Sequence, residues 1–70
     1  MDIKTIGQLI EDRRTALGLN QEDLSEMSGI TVRTIYNIER GSGNPSFKTL
    51  SKLAEVLGLE ISVGIRKTGE

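Results

Sequence analysis

The sequence contains neither cysteine nor histidine. Without thiols there is no disulfide framework and no thiolate metal site, a usage that fits a reducing cytosol. Without imidazole the chain loses a common zinc ligand, the usual general base and every Ser/His or Cys/His nucleophile pair. No cluster of acid, base and nucleophile replaces them, so no catalytic residue, no metal and no cofactor is expected, and the chain reads as a non-enzyme. Aromatics are nearly absent too: Tyr36 and Phe47 stand alone, which leaves a core of Leu, Ile, Val, Ala and Met. No run of about 18 apolar residues is available to cross a bilayer, and the N-terminus lacks the basic-then-apolar pattern of a secretory signal. A soluble, cytoplasmic protein without a membrane partner is the expectation. Positive charge is not in excess either. Nine Lys and Arg against ten Asp and Glu give a formal net charge of −1, so any polyanion must be held by a local basic face.

What is present is helical patterning. Seventy residues suit one small domain, because a chain of this size buries only about 60% of its unfolded surface. Thr5 followed by Gln8 reads as a capping box, and Ile6, Leu9, Ile10, Arg13, Ala16 and Leu17 recur at helical spacing up to Gly18. They predict a first helix from about 6 to 17. Asn20 caps a second, whose first turn carries Gln21, Glu22 and Asp23 and whose apolar side is Leu24, Met27 and nearby Ile30. Gly29 fits a left-handed cap, after which Thr31 opens a third helix from Val32 to about Arg40. The breaker Gly41-Ser42-Gly43-Asn44-Pro45 precedes a fourth, capped by Ser46, with Phe47, Leu50, Leu53, Ala54 and Leu57 on one stripe and Gly58 at its end.

Beyond Gly58 the period changes. Leu59, Ile61, Val63 and Ile65 alternate with Glu60, Ser62, Gly64 and Arg66, the two-residue repeat of a half-buried strand. A lone strand is unstable, and no second strand pattern exists. Pairing with the same strand of a second copy, in a homodimer sealed by Leu59, Ile61, Val63 and Ile65, is the economical solution. Intrachain pairing with residues 2 to 4, or packing on its own domain, are the alternatives. The expected organisation is a mainly α fold, four helices over 1–58 followed by a dimerisation strand and tail over 59–70.

Between Arg14 and Gly41 the pattern is helix, glycine turn, helix. In the second of these helices Ile35 and Ile38 point inward, with Thr31 and Thr34 at the border, while Val32, Arg33, Tyr36, Asn37 and Arg40 project outward. Outward Arg and Asn suit a DNA major groove, where Arg bonds guanine bidentately and Asn bonds adenine.

The run RRTALGLNQEDLSEMSGITVRTIYNIERG, with the later NPSFKTLSKLAEVLG, resembles the Cro/cI repressor-type (XRE) helix-turn-helix family over about residues 5 to 58. Ser25 departs from it, standing where the family usually has Ala. The resemblance implies a lambda-repressor-like bundle that binds double-stranded DNA in transcription regulation. It implies that Asn20 and Gln21 meet the DNA backbone, with Thr31, Arg40, Ser42 and Lys48 as further phosphate contacts. Val32, Arg33 and Asn37 match base-reading positions, with Tyr36 beside them. Val32 departs from the polar residues often found there and suits a thymine methyl group. Arg14 and Glu39 are similar to a structural salt bridge of the family. A strand after LGLEISV further resembles the HipB-type antitoxins, repressors of their own operon that bind a HipA-like toxin kinase.

Blander readings stand beside these. GSGNPS has the glycines of a phosphate-cradling loop but not its Lys or its preceding strand, and reads as an interhelical loop. Glu11 with Asp12, and Glu22 with Asp23, are neighbours about 100° apart on a helix and read as solvated charge. Tyr36 could simply pack. A protein-interaction adaptor without DNA readout is the alternative function; outward Arg33, Asn37 and Arg40 argue against it.

Overall fold

In a computed structural model of the chain, which describes residues 2–65, four helices form one bundle: α1 (Ile3–Ala16), α2 (Gln21–Ser28), α3 (Val32–Glu39) and α4 (Phe47–Leu57). Each begins with a polar cap whose side chain takes a backbone N–H three residues on. The caps are Asp2, Asn20, Thr31 and Ser46. At α2 the cap is reciprocal: the Asp23 N–H donates to Asn20 Oδ1 at 2.6 Å, and the Asn20 N–H donates to Asp23 Oδ2 at 3.0 Å. Two orphan donors are thereby satisfied at once.

The turn between α2 and α3 depends on Gly29, which closes α2 with φ 78°. A side chain there would strain the left-handed backbone, so glycine sets the angle at which α3 leaves α2. The core sits where all four helices meet. Ile10, Leu24, Ile35, Ile38, Leu53 and Leu57 are buried, ringed by half-buried Ile6, Leu19, Ile30, Leu50, Val56 and Leu59. α1 and α2 each pack against both α3 and α4. This cradle holds α3 with its Ile35 and Ile38 face inward and its opposite face free.

Several expectations need correction. The first helix begins at Ile3, not at 6, because the Thr5 N–H donates to Asp2 Oδ1 at 2.9 Å. A carboxylate at the positive end of the helix dipole is the stronger cap, so Thr5 lies inside the first turn and the Gln8 amide instead reaches Asp12 Oδ1 at 2.9 Å. That helix also consumes residues 3 and 4, which rules out their pairing with the tail. Phe47 was expected on the inner stripe of α4 but is 65% exposed; it stands at the first position of the helix, above the level at which Leu50 and Leu53 enter the core. Leu9 and Met27, also expected on apolar faces, are exposed as well.

The largest correction concerns the expected strand. Among the described residues there is none, and 59–65 carry no regular structure. Leu59 is half-buried against α4, its N–H donating to the Ala54 carbonyl at 2.9 Å. Ile61 is exposed, and Val63 and Ile65 are 90% and 99% exposed. A strand is defined by its ladder, and within one chain these residues meet no second edge. Residues 66–70 of the expected tail, Arg66 among them, lie outside the described residues.

Candidate nucleic-acid interface

The outer side of α3 is presented by an anchored helix. Glu39, in its last turn, is buried and accepts two bonds from Arg14 of α1: Nε to Oε2 at 2.7 Å and Nη2 to Oε1 at 2.9 Å. The remaining Arg14 arm donates from Nη1 to the Leu19 carbonyl at 2.8 Å. The hydrogen bond to Glu39 holds the Arg14 guanidinium above its ordinary range, against the opposing effect of burial. Side-chain exposures of 13% and 3% mean that both charges have left bulk water, where a two-pronged, fully bonded geometry is what keeps burial tolerable.

Gln21 joins this network. Its Nε2 donates to Glu39 Oε1 at 3.0 Å, so the first residue of α2 is tied to the last turn of α3 and through it to α1. The family resemblance implies a DNA-backbone contact for Gln21, and the structure commits one of its amide N–H groups inside the protein. No local pattern marks this bond, because its partners lie on different helices and meet only once α2 and α3 are packed.

On the free face, Val32, Arg33, Tyr36 and Arg40 are exposed and Asn37 is half-buried. Asn37 is partly covered by the loop after α3, where the Ser42 N–H and Oγ both donate to its carbonyl, at 2.9 and 3.1 Å. Ser42 is thus fixed immediately beyond the end of α3. Thr31 is engaged in its own cap, accepting from the Thr34 N–H at 3.2 Å and donating to Thr34 Oγ1 at 3.0 Å. Lys48 is exposed in the first turn of α4, and Asn20 is exposed at the start of α2. The Arg40 guanidinium lies over the Tyr36 ring, 5.3 Å from its centroid.

The tail residues lie elsewhere. Leu59 and Ile61 border an open hollow of about 260 Å³ with Ile6 and Leu9 of α1 and Leu50 and Ala54 of α4. None of these belongs to α3, so the apolar tail and the polar outer face of α3 occupy separate elements of the molecule.

Among the described residues no helix is long and apolar enough to cross a membrane. A family model described as Helix-turn-helix matches residues 10–63. An uncharacterized HTH-type transcriptional regulator from Methanothermobacter thermautotrophicus is 42% identical over 52 residues, covering 74% of this chain and 75% of its own. The ImmF control region 10 kDa protein of Bacillus phage phi105 is 35% identical over 63 residues, 90% of this chain and 70% of its own. Among solved structures, the restriction-modification controller protein C.AhdI from Aeromonas hydrophila aligns with a TM-score of 0.78 at 38% identity, over 83% of this chain and 88% of that one. The family match begins inside α1 and takes in all of α2, α3 and α4, and on these grounds the chain belongs to the XRE-type helix-turn-helix family of DNA-binding transcriptional regulators.

Proposed function

We propose that the protein is a sequence-specific repressor that binds a palindromic operator as a homodimer. The observation that carries this reading is the contrast between the two faces of α3. One is locked by Ile35, Ile38 and Glu39; the other offers Val32, Arg33 and Asn37 for base edges, with Tyr36 beside them. Phosphates would be met by Asn20, Thr31, Arg40, Ser42 and Lys48, and by the second amide N–H of Gln21, the one that its bond to Glu39 leaves free. A rigid scaffold presenting uncommitted polar side chains is what major-groove readout requires. Residues 59–65, alternating in sequence and exposed from Glu60 onward, pair with their counterparts across a two-fold axis, placing two recognition helices about 34 Å apart, one turn of DNA. Bound there, the dimer would exclude polymerase from a promoter.

A second reading concerns the same tail. Its exposed Val63 and Ile65 also suit a protein partner, and the likeness of the LGLEISV segment to HipB-type antitoxins makes a HipA-like toxin kinase the candidate. In that case the protein is the antitoxin of a two-gene module as well as its repressor.

The test is selection of duplexes from a random library by the purified protein, followed by mobility shift across a salt series. A two-fold symmetric site with steeply salt-dependent affinity is expected, each neutralised phosphate contributing about −0.9 to the log–log slope. Recovery of no common sequence, with weak binding to every duplex, would leave only the adaptor function standing.

A further inference from the structure

The described residues include four arginines, and the structure treats them differently. Arg14 has its fork filled by Glu39 and the Leu19 carbonyl. Arg13 donates from Nε to the Leu57 carbonyl at 2.7 Å, closing the end of α4. Arg33 is exposed and makes no ion pair among the described residues, where Arg14–Glu39 is the one salt bridge. Arg40 is the intermediate case: it is held, but by a ring.

The chemistry of that hold matters. An ion pair with a carboxylate would neutralise the guanidinium and fill its donors. A guanidinium placed over an aromatic ring is attracted by the ring's electron-rich face and keeps its charge, and among the described residues no carboxylate pairs with it. The surrounding backbone is fixed. The Arg40 N–H donates to the Tyr36 carbonyl at 3.1 Å, and two residues later Ser42 is tied to the Asn37 carbonyl. The freedom that remains at this corner belongs to the long Arg40 side chain, and the Tyr36 ring, one turn earlier on the same face, removes part of it.

We propose that Tyr36 is a positioning residue: its ring is a platform that holds the Arg40 guanidinium charged and open-forked at the end of α3, aimed at a phosphodiester of the DNA backbone. This rests on the DNA-binding reading above and changes one part of it, since Tyr36 then contributes to affinity and leaves base choice to its neighbours. The phenol hydroxyl has no part in the stack, so the ring alone carries the function.

The experiment uses the full-length protein, a duplex selected by the wild type from a random library, and a scrambled version of that duplex. Affinity is measured over a salt series for Tyr36→Phe, Tyr36→Leu, Arg40→Gln and the double variant Tyr36→Leu/Arg40→Gln, with thermal unfolding as the control on folding. Tyr36→Phe should bind as the wild type does, with the same base preferences. Tyr36→Leu should weaken both duplexes by one common factor, about two- to fivefold for an exposed stack. Arg40→Gln should reduce the salt slope by about 0.9, and the double variant should bind no more weakly than Arg40→Gln alone. Altered base preference in Tyr36→Phe, or losses in Tyr36→Leu and Arg40→Gln that multiply, would overturn the platform role. A wild-type protein that selects no duplex defeats the DNA reading itself, and is thereby told apart from failure of the platform alone.

Discussion

Arg14 and Glu39, twenty-five residues apart in the chain, grip one another through two nearly parallel hydrogen bonds of 2.7 and 2.9 Å. The pair fastens α1 to the last turn of α3, and Gln21 adds the start of α2 to the same carboxylate. Glu39→Ala should therefore leave a guanidinium facing a gap and destabilise the fold by about 3 kcal/mol. Arg14→Met combined with Glu39→Leu should recover much of that loss, because an apolar pair of similar volume is not penalised by desolvation. Urea unfolding of Glu39→Ala, of Arg14→Met and Glu39→Leu singly, and of the double variant measures both effects. A double variant as unstable as the sum of the singles would show that the pair does not act as a unit.

Gly7 is buried at a helix crossing. A Cβ built there would run into the Ile38 carbonyl oxygen, so Gly7→Ala has to push α1 away from α3. Overpacking of this kind costs about 1 to 3 kcal/mol, and more where backbone must move. Gly18 offers the contrast, with φ 74° but no atom within 4 Å; Gly18→Ala is charged only with left-handed backbone, roughly 1 to 2 kcal/mol. Denaturant midpoints should place Gly7→Ala below Gly18→Ala. The reverse order would mean that the α1–α3 crossing is looser than its geometry indicates.

Gly7 also marks what the sequence conceals. Caps and breakers are local, so Asn20, Gly29, Thr31, Ser46 and Gly58 are legible from their neighbours, and the four helices follow from them. The inward pair Ile35 and Ile38 follows from period alone. Burial of a glycine in mid-helix depends on which helix crosses there, and Gln21's bond to Glu39 depends on how two helices meet; neither has a periodic signature. Asp2 is masked in the sequence by Thr5 and Gln8, whose spacing also fits a cap but with a later helix start. The alternation at 59–65 is visible in sequence, but alternation identifies the faces of a segment and not its partner.

Asp2 gives a pH prediction. Its carboxyl is held below its ordinary value of 3.8, chiefly by the backbone N–H of Thr5 and then by the Thr5 side chain. A lowered carboxylate stabilises the fold at pH above its unfolded value and ceases to do so as pH falls through the lower folded one. Acidification below 3.8 should thus fray the first turn of α1 before the bundle unfolds, seen as faster exchange of the Thr5 amide. Asp2→Asn keeps an acceptor without the titration and should remove that pH dependence. Equal acid sensitivity in both proteins would place the effect elsewhere.

Base reading and phosphate holding separate by their response to sequence and salt. If Arg33 bonds a guanine edge, Arg33→Ala should cost about 1 to 3 kcal/mol on the selected duplex and relax the preference at one base pair. Lys48→Gln, at the start of α4, should weaken all duplexes alike and lower the salt slope by about 0.9. Competition assays with single-base variants of the selected duplex distinguish the two. An Arg33→Ala loss that is uniform over all variants would remove Arg33 from the base-reading set and leave it as a phosphate contact.

The tail decides the assembly. Val63 and Ile65 are almost fully exposed, and Ile61 lies at the edge of an apolar hollow between α1 and α4. Exposed apolar residues at alternating positions are a cost in water unless something covers them, and an extended segment with unpaired N–H and C=O groups is a template for pairing with another chain. A second copy offers the same edge in the opposite direction. Light scattering should then report a dimer for the full chain and a monomer for a version ending at Gly58, which keeps the six buried core residues Ile10, Leu24, Ile35, Ile38, Leu53 and Leu57 and loses only Leu59 from the ring around them. Val63→Asp should dissociate the dimer with little effect on the unfolding of the bundle, and a monomer that retains α3 should bind a single half-site with a shallower salt dependence. Should the full chain and the shortened one both be monomers, the two-fold arrangement fails, and the exposed tail becomes the docking strand for a different protein.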